Sequence, residues 1–567
     1  MNRGYPEHFV KKFGDLRELV SSSAEIYGDK ILYTYRKNKQ DYTVSYQELY
    51  DNMVALGTAL WTMGLGESCI AVSGDTHPSY MTAYLATVNT GGVIVPLDKD
   101  IKEDEIVGFL QKCKAKAFFY TYSLHAKVRS LFDRLPQVEW FVCIDYVPDG
   151  EENCEKFRTY DQILELGREQ VSMGNRSFLD YSIDINKLCA IIFTSGTTGT
   201  SKGVMLSHKN LVTATLASDG MIDYNSDNTL VSVLPMHHTY EMTCDHLAII
   251  NIGASVFIND SIKYTMRNFA KVKPNALILV PLYIETMHKR IWDEIGKKGM
   301  TKKVRAAMKM SDGLRKIGID LRRKLFSEIL DVFGGEIRSM VCGGAAISKH
   351  ILKDFDSFGI TILEGYGITE CAPLVAVNTF NWIKYGSVGR PVFQCEVKID
   401  AAPGETSGEI LVKGDNVMMG YYENPEATAE VFTEDGWFRT GDIGYMDEDH
   451  FIYITGRKKN IILLSNGKNI FPEELEEYLA QCDLIAESVV IGRRPEGKQD
   501  TIITAVIYPN YDKFQGNSED EIRAAIKEKI DDINKTLPVF KHIADIEIRD
   551  TEFEKTTSRK IKRYRVK

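Results

Sequence analysis

Residues 191–203 of the chain read IIFTSGTTGTSKG, an apolar run followed by glycines, hydroxyl side chains and a lysine. A short apolar run bounded by glycine predicts a buried strand. The glycines let the backbone curl so that successive N–H groups face an anion, while the hydroxyls and Lys202 add donors and positive charge. The stretch is not a Walker loop, because Ser201 precedes Lys202 and Gly203 follows it. We predict a strand that leads into a polyphosphate-binding loop, with a solvent-exposed turn as the alternative.

Similar apolar runs alternate with helical patterns along most of the chain, which predicts α/β layers with largely parallel sheets. Ser45 and Glu48 have the spacing of a capping box at the start of a helix. The predicted buried strands lie at 69–72, 93–96, 188–193, 230–234, 276–280, 339–342 and 361–363.

The pattern of the sequence changes at the polar segment GRKKN, residues 456–460. Beyond it, predicted strands at 488–491 and 502–507 precede a charged helix near 519–535. We therefore predict a large N-terminal domain of layered α/β subdomains over residues 1–458. A small, mobile C-terminal α+β domain is predicted over residues 459–567.

Composition and charge exclude several classes of protein. Of the 567 residues, 44% are hydrophobic and 26% charged, which excludes a disordered chain or a collagen-like repeat. The net charge of −10 argues against a nucleic-acid partner bound through overall charge. The ten cysteines include no C-x-x-C pair, so zinc and thioredoxin-like chemistry are not indicated. Without an apolar run of signal-peptide or membrane-spanning length, we expect a cytoplasmic protein.

Residues 289–324 form a strongly basic stretch, with 13 lysines and arginines against four acidic residues. One interpretation is a solvated helical hairpin, since charged runs usually face water. The other is a patch for anionic lipid headgroups, which would place the protein peripherally on the inner membrane face, or for an acidic carrier protein.

The phosphate loop resembles that of the adenylate-forming superfamily, which includes acyl-CoA synthetases, nonribosomal peptide synthetase adenylation domains and beetle luciferases. Further motifs similar to that family follow in its order: LPMHHTYE at 234–241, GGAA at 343–346, EGYGITE at 364–370, WFRTGD at 437–442 and GRKK at 456–459. The resemblance covers essentially the whole chain. Several of these segments look most like the long-chain fatty acyl-CoA synthetase branch.

The resemblance implies an ATP site. Contacts to the phosphates, adenine and ribose would come from Thr194, Ser195, Gly196, Thr197, Thr198, Gly199, Lys202, Gly344, Ala345, Tyr366, Gly367, Asp442 and Arg457. Tyr366 would stack on adenine and Asp442 would accept hydrogen bonds from the ribose. For Arg457, a structural ion pair is the alternative.

The implied chemistry is attack of a carboxylate on the α-phosphorus of ATP, followed by displacement of AMP by a thiol. Thr369 would contact the α-phosphate and Glu370 would ligate Mg²⁺, a hard ion that prefers oxygen ligands. Lys560 would neutralise the carboxylate and the α-phosphate, although Glu554 and Arg559 stand where the family has proline and glycine. A basic surface tail is the alternative for Lys560. Lys459 occupies the hinge position of the family.

His237 and His238 would form the wall and gate of the acyl entry, with a plain core role as the alternative. Met242 stands about where some relatives have an aromatic gate. We expect a medium- to long-chain fatty acid, ATP, Mg²⁺ and coenzyme A. An acyl-carrier protein as acceptor and another carboxylate as substrate stay open. A noncatalytic nucleotide sensor and a membrane scaffold are rivals that the intact motifs disfavour.

Overall fold

A computed structural model describes residues 8–146, 154–194, 201–464, 468–494, 500–555 and 561–566. The helices in these ranges are α1 (Leu16–Tyr27), α2 (Tyr46–Thr62), α3 (Pro78–Asn89), α4 (Glu103–Lys112), α5 (His125–Arg129), α6 (Tyr160–Ser172), α7 (Ser177–Asp180), α8 (His208–Met221), α9 (Ala248–Ile252), α10 (Thr265–Val272), α11 (Pro281–Lys297), α12 (Thr301–Arg315), α13 (Arg322–Leu325), α14 (Ser327–Asp331), α15 (Lys349–Phe358), α16 (Pro425–Val431), α17 (Pro472–Ala480) and α18 (Glu519–Thr536). A π-helical segment, Tyr240–Leu247, runs directly into α9.

The strands are β1 (Ile31–Lys37), β2 (Gln40–Ser45), β3 (Cys69–Ser73), β4 (Val93–Leu97), β5 (Ala117–Tyr120), β6 (Trp140–Cys143), β7 (Phe157–Thr159), β8 (Leu188–Thr194), β9 (Lys202–Ser207), β10 (Thr229–Ser232), β11 (Ser255–Ile258), β12 (Ala276–Leu279), β13 (Ser339–Cys342), β14 (Thr361–Gly367), β15 (Leu374–Val377), β16 (Arg390–Pro391), β17 (Cys395–Asp400), β18 (Gly408–Gly414), β19 (Gly420–Tyr421), β20 (Phe438–Met446), β21 (Ile452–Arg457), β22 (Ile462–Leu463), β23 (Asn469–Ile470), β24 (Ile485–Arg493), β25 (Ile502–Pro509) and β26 (Asp545–Ile548). Among the helices described above, none is both long and apolar enough to cross a membrane.

The first of two compact units is formed by the described residues up to 396 together with residues 413–432. Its largest sheet has the strand order β19-β9-β8-β4-β3-β5-β6-β7, and a second has the order β12-β13-β14-β15-β16. The pairs from β3 to β7 and from β12 to β14 are parallel. Helices cover these strands, which explains why the strands read as continuous apolar runs. A third sheet, β10-β11-β1-β2, completes this unit.

The second unit comprises residues 397–412 and 433 onwards. It contains the sheets β17-β18-β20-β21, β22-β23 and β24-β25-β26. Apolar residues of α17 and α18, including Leu475, Ile522 and Ile526, pack with β24 and β25 in one core. The unit is therefore a small α+β assembly.

The predicted α/β class, with a larger N-terminal part and a smaller C-terminal part, is confirmed. The capping box is present: Ser45 N–H donates to Glu48 Oε2 at 2.7 Å, and Glu48 N–H donates to Ser45 Oγ at 3.1 Å. The strand predicted at 361–363 continues to Gly367, because Gly365 to Gly367 pair with β15. The boundary between a large domain and a mobile C-terminal domain after residue 458 stays a prediction.

Candidate functional site

A cavity opens within the first unit, at the carboxyl ends of β13 and β14. Ligands of parallel α/β sheets bind at this edge. The lining residues are mostly apolar or glycine: Ser218, Asp219, Ile222, Tyr224, Tyr240, Cys244, Ala248, Ile249, Ile252, Ile278, Val341, Gly343, Gly344, Gly365, Tyr366, Gly367, Pro373, Leu374 and Val377. The cavity can therefore hold an apolar chain beside a glycine-lined section.

The glycine-lined section combines Gly343 and Gly344 after β13 with Tyr366 and Gly367 in β14. Gly344 has a φ of +91°, which favours glycine. At Gly367 a Cβ atom would lie 2.5 Å from the Pro373 carbonyl oxygen, so a side chain has no room there. The buried Tyr366 ring forms part of the same wall. An aromatic ring beside bare backbone is suited to a flat heteroaromatic ligand.

The predicted phosphate loop is bounded by two described residues. Strands β8 and β9 are antiparallel, and their register pairs Thr194 with Lys202. The Thr194 hydroxyl donates to the Lys202 carbonyl at 3.4 Å. The predicted contacts Ser195, Gly196, Thr197, Thr198 and Gly199 lie outside the described residues, as does Lys560.

Lys202 belongs to a cluster with Tyr421 and Glu370, two residues distant from it in sequence. The Lys202 Nζ lies 4.6 Å from the centre of the Tyr421 ring, a cation–π distance. The Tyr421 hydroxyl donates to Glu370 Oε1 at 2.9 Å. Burial, and then the charge of Glu370, raise the pKa of Tyr421, which keeps the hydroxyl protonated as a donor. The fold thus brings Lys202 and the Glu370 carboxylate of the EGYGITE motif into contact with the same tyrosine.

Glu370 is held by its backbone as well as by its side chain. It lies with Thr369 in a 3₁₀ turn, Thr369–Cys371, directly after β14. Its carbonyl accepts a hydrogen bond from Met418 N–H at 2.8 Å, next to β19. The carboxylate is partly exposed, and the Tyr421 contact uses only one of its oxygens. Sequence reasoning missed Tyr421, for which the Gly-Tyr-Tyr run at 420–422 is a weak signal.

In the second unit, Asp442 and Arg457 face each other across β20 and β21. Their side chains form an ion pair, with Arg457 Nε 2.6 Å from Asp442 Oδ1. Asp442 is buried, while the Arg457 side chain is 42% exposed. The ion pair named as the alternative role of Arg457 is therefore present, and it leaves part of the Arg457 side chain accessible.

Glu409 fixes the turn that carries Asp442, and sequence reasoning missed it. This buried carboxylate lies 3.1 Å from Arg439 and 2.9 Å from Lys458, and it accepts from Gly441 N–H at 3.2 Å. Buried charges are tolerated when they are paired in this way. The network ties the WFRTGD motif to the GRKK motif within one unit.

The paired histidines lie beside an acidic residue. His237 Nε2 is 3.6 Å from Asp98 Oδ2, and the centroids of the His237 and His238 rings are 4.1 Å apart. Burial, with a smaller contribution from Lys99, lowers the pKa of His237 to about 4, so the imidazole is neutral at pH 7. Met242 is buried in the π-helical segment. Of this segment, Tyr240 and Cys244 line the cavity.

One acidic group, Asp219 at the end of α8, interrupts the apolar lining of the cavity. Asn251 Nδ2 donates to Asp219 Oδ2 at 2.6 Å, and Asn251 also donates to the Lys11 carbonyl at 3.0 Å. Burial raises the pKa of Asp219 to about 8, despite the opposing effects of Asn251 and Lys11. The carboxyl group is therefore mostly neutral at pH 7, as an apolar wall requires.

We expect Asp219→Asn to remove a pH dependence from the stability of the protein. In the folded protein the pKa of Asp219 is about 8, against an ordinary value of 3.8. Its contribution to the free energy of unfolding is therefore complete below pH 3.8. The contribution is lost progressively as the pH rises toward the folded value. Between about pH 5 and pH 7.5, the melting temperature of the wild type should fall relative to that of the variant. Parallel curves would show that Asp219 ionises normally.

Comparisons with known proteins agree with these motifs. Residues 20–422 match the family described as AMP-binding enzyme, and residues 459–567 match the AMP-binding enzyme C-terminal domain. A long-chain-fatty-acid–CoA ligase of Haemophilus influenzae is 32% identical over 70% of this chain and 64% of its own length. The chloroplastic long-chain-fatty-acid–[acyl-carrier-protein] ligase AEE15 of Arabidopsis thaliana is 26% identical over 88% of this chain and 76% of its own.

A similar fold occurs in the adenylation domain of a carboxylate reductase from Mycobacterium chelonae. The TM-score is 0.80 at 21% identity, over 98% of this chain and 89% of that one. At this identity the likeness concerns the fold alone.

Proposed function

Because the chain belongs to the AMP-binding enzyme family, we propose that it ligates a medium- to long-chain fatty acid to coenzyme A. In the first step a carboxylate oxygen attacks the α-phosphorus of ATP, and pyrophosphate leaves. In the second step a thiol sulfur attacks the acyl carbon, and AMP leaves as the acyl–phosphate bond breaks. The substrate is already ionised near neutral pH, so the first step needs no general base.

The observation that carries the proposal is the composition of the cavity wall. One section is glycine-lined with Tyr366, and the rest is largely aliphatic, with Ile222, Ile249, Ile252 and Leu374 among its residues. Polar ligands would leave these walls with unmatched apolar surface, whereas an alkyl chain gains roughly 0.8 kcal/mol per buried methylene. The names of the two relatives support the same class of substrate.

We assign the ATP contacts by motif. Tyr366 stacks on adenine beside Gly344, Ala345 and Gly367, while Thr194 and Lys202 bind the phosphates together with the residues between them. Thr369 donates to the α-phosphate. Asp442 accepts from the ribose hydroxyls, and the exposed part of Arg457 reaches the ribose or a phosphate. Fixed donors of this kind stabilise the charge that develops on the transferred phosphoryl group.

Glu370 has the donor chemistry expected for a Mg²⁺ ligand. Its carboxylate is partly exposed. The hydrogen bond from Tyr421 orients the carboxylate and uses Oε1, which leaves Oε2 for a metal ion. Magnesium is usually held by one or two carboxylates and the phosphates of a nucleotide. Bound there, the ion would neutralise phosphate charge, and Glu370 would orient it.

We propose that the region after Lys458 moves between the two steps, with Lys459 as the hinge. Burial, followed by the charge of Arg457, lowers the pKa of Lys459 to about 8. The residue follows β21 in a short 3₁₀ turn, Lys458–Asn460. Hinges are commonly one or two such positions between elements. Lys560 would then serve the first step.

Coenzyme A is the acceptor we favour, and an acyl-carrier protein is the second candidate. The second rests on the relative from Arabidopsis thaliana and on the basic stretch at 289–324, because carrier proteins are acidic. We place the enzyme in the cytoplasm.

The test is AMP formation from ATP and Mg²⁺ with fatty acids of graded length, first with coenzyme A and then with holo acyl-carrier protein. We expect turnover with coenzyme A that peaks at one chain length. Turnover only with the carrier protein would reassign the acceptor. Turnover only with other carboxylates would overturn the fatty-acid assignment.

Filling the cavity should change which acids are used. Ala248 is buried, begins α9 and lines the cavity. Ala248→Phe is expected to lower kcat/KM for long acids at least about tenfold, because displacing two methylenes costs about 1.6 kcal/mol. Short acids should be affected little. Ala248→Ser is the matched control, and equal loss at every chain length would argue that Ala248 does not contact the acyl chain.

A further inference from the structure

The basic stretch forms a helical hairpin that neither the cavity nor the predicted ATP contacts explain. It covers the end of α11, all of α12 and the start of α13. With 13 basic and four acidic residues it carries a net charge of +9, although the whole chain carries −10. A stretch whose charge is opposite to that of the whole chain is expected to pair with acidic groups, either within the fold or on a partner.

Three arginines attach the hairpin to the rest of its unit. Arg305 lies 2.9 Å from Asp354, and Arg315 and Arg322 lie 2.7 and 2.8 Å from Asp356, so all three pair with α15. Arginine suits such contacts because its planar donors match a carboxylate. These residues hold α12 and α13 against α15.

Three exposed lysines lie on α12 or directly after it, away from its buried residues. Lys302, Lys309 and Lys316 are spaced by seven residues, which places them on one face of a helix, while Met308 and Ser311 of α12 are buried. All three lysines are exposed. Among the described residues, none of them has an ion-pair partner within 4.0 Å. Their charge is therefore directed to solvent.

Large apolar side chains accompany these lysines. Met310 on the same helix is 52% exposed, and Ile317 and Ile319 in the loop after α12 are 71% and 45% exposed. Aliphatic side chains at this exposure, next to lysines, are typical of helices that lie in a membrane interface. We call the three lysines and these three apolar residues the basic face.

We propose that the basic face docks the enzyme on an anionic lipid bilayer. Lysine is a flexible point charge that suits a diffuse negative surface, and Met310, Ile317 and Ile319 can insert below the headgroups. A carrier protein is a weaker fit, since specific protein partners usually contact central aromatic or arginine side chains, whereas Arg305, Arg315 and Arg322 are paired with carboxylates of α15. The inference rests on the proposed function in one respect: a long-chain acid dissolves in bilayers, so docking brings the enzyme to its substrate.

The test is co-sedimentation of the full chain with vesicles of phosphatidylcholine alone or with 30% phosphatidylglycerol, at about 20 and about 300 mM salt. We expect binding only to the anionic vesicles, weakened by salt. The triple variant Lys302→Gln, Lys309→Gln, Lys316→Gln should lose about 100-fold in partition coefficient, since each lysine contributes about fivefold. Ile317→Ser with Ile319→Ser should also reduce binding. The matched control removes three exposed lysines elsewhere: Lys114→Gln, Lys527→Gln, Lys529→Gln.

The outcomes separate this inference from the proposed function. Equal binding to both vesicle types, or unchanged binding of the basic-face variants, would overturn the docking surface. Loss of turnover with acyl-carrier protein but not with coenzyme A, without any vesicle binding, would assign the face to a protein and overturn the lipid proposal. Vesicle binding is measured without substrate, so docking can be established even if the enzyme proves to use another acid. Melting temperatures confirm that each variant is folded.

Discussion

Glu370→Gln is expected to lower the rate of adenylate formation by about 100-fold or more, with little change in stability. The substitution keeps the shape of the side chain and its hydrogen bond with Tyr421, since a carbonyl oxygen can still accept. It removes the negative charge that a Mg²⁺ ligand supplies. Acid-dependent exchange between ATP and pyrophosphate measures the step, and raising the Mg²⁺ concentration should restore part of the rate.

Tyr421→Phe is the companion variant for this experiment. It removes one hydrogen bond to Glu370 Oε1 and leaves the ring beside Lys202 in place. Because a hydrogen bond to a partly exposed carboxylate is worth about 1.5 kcal/mol, the loss should be about tenfold. If Glu370→Gln were no worse than Tyr421→Phe, and insensitive to Mg²⁺, Glu370 would not be a metal ligand.

Local patterns in the sequence predicted the elements of the fold well, because those patterns are caused by neighbours in the chain. The capping box at Ser45 needs only residues three apart, and the parallel strands β3, β4 and β13 are buried enough to appear as apolar runs. The extension of β14 to Gly367 was missed because pairing with β15, not hydrophobicity, keeps the chain extended there.

The side chains that complete the candidate site could not be predicted in this way. Tyr421 is 51 residues from Glu370, and Asn251 is 32 residues from Asp219, so each contact depends on how sheets and helices pack. An acid such as Asp219 has no apolar or motif signal, since its raised pKa comes from the burial that the fold imposes. The roles assigned to Ser195 through Gly199 and to Lys560 rest on motif likeness and stay predictions.

Lys560→Ala is expected to cut adenylate formation by about 100-fold or more, while sparing thioester formation from supplied acyl-adenylate. The first step brings two anions together, so loss of a positive charge there raises its barrier directly. The second step starts from an adenylate that is already formed and requires no such neutralisation. Measuring the two half-reactions separately therefore isolates the lysine, even though Arg559 and Glu554 depart from the family pattern around it.

Lys555→Ala is the matched control, because Lys555 is a lysine of the same tail with a structural role. It pairs with Glu487 and lies 2.8 Å from Glu552, and a β-bridge joins it to Ile561. Its removal should lower the melting temperature and change both half-reactions in equal proportion. If Lys560→Ala behaved in that same proportional way, its effect would be one of stability, and the positive charge for adenylation would have to come from another residue, with Lys202 the first to examine.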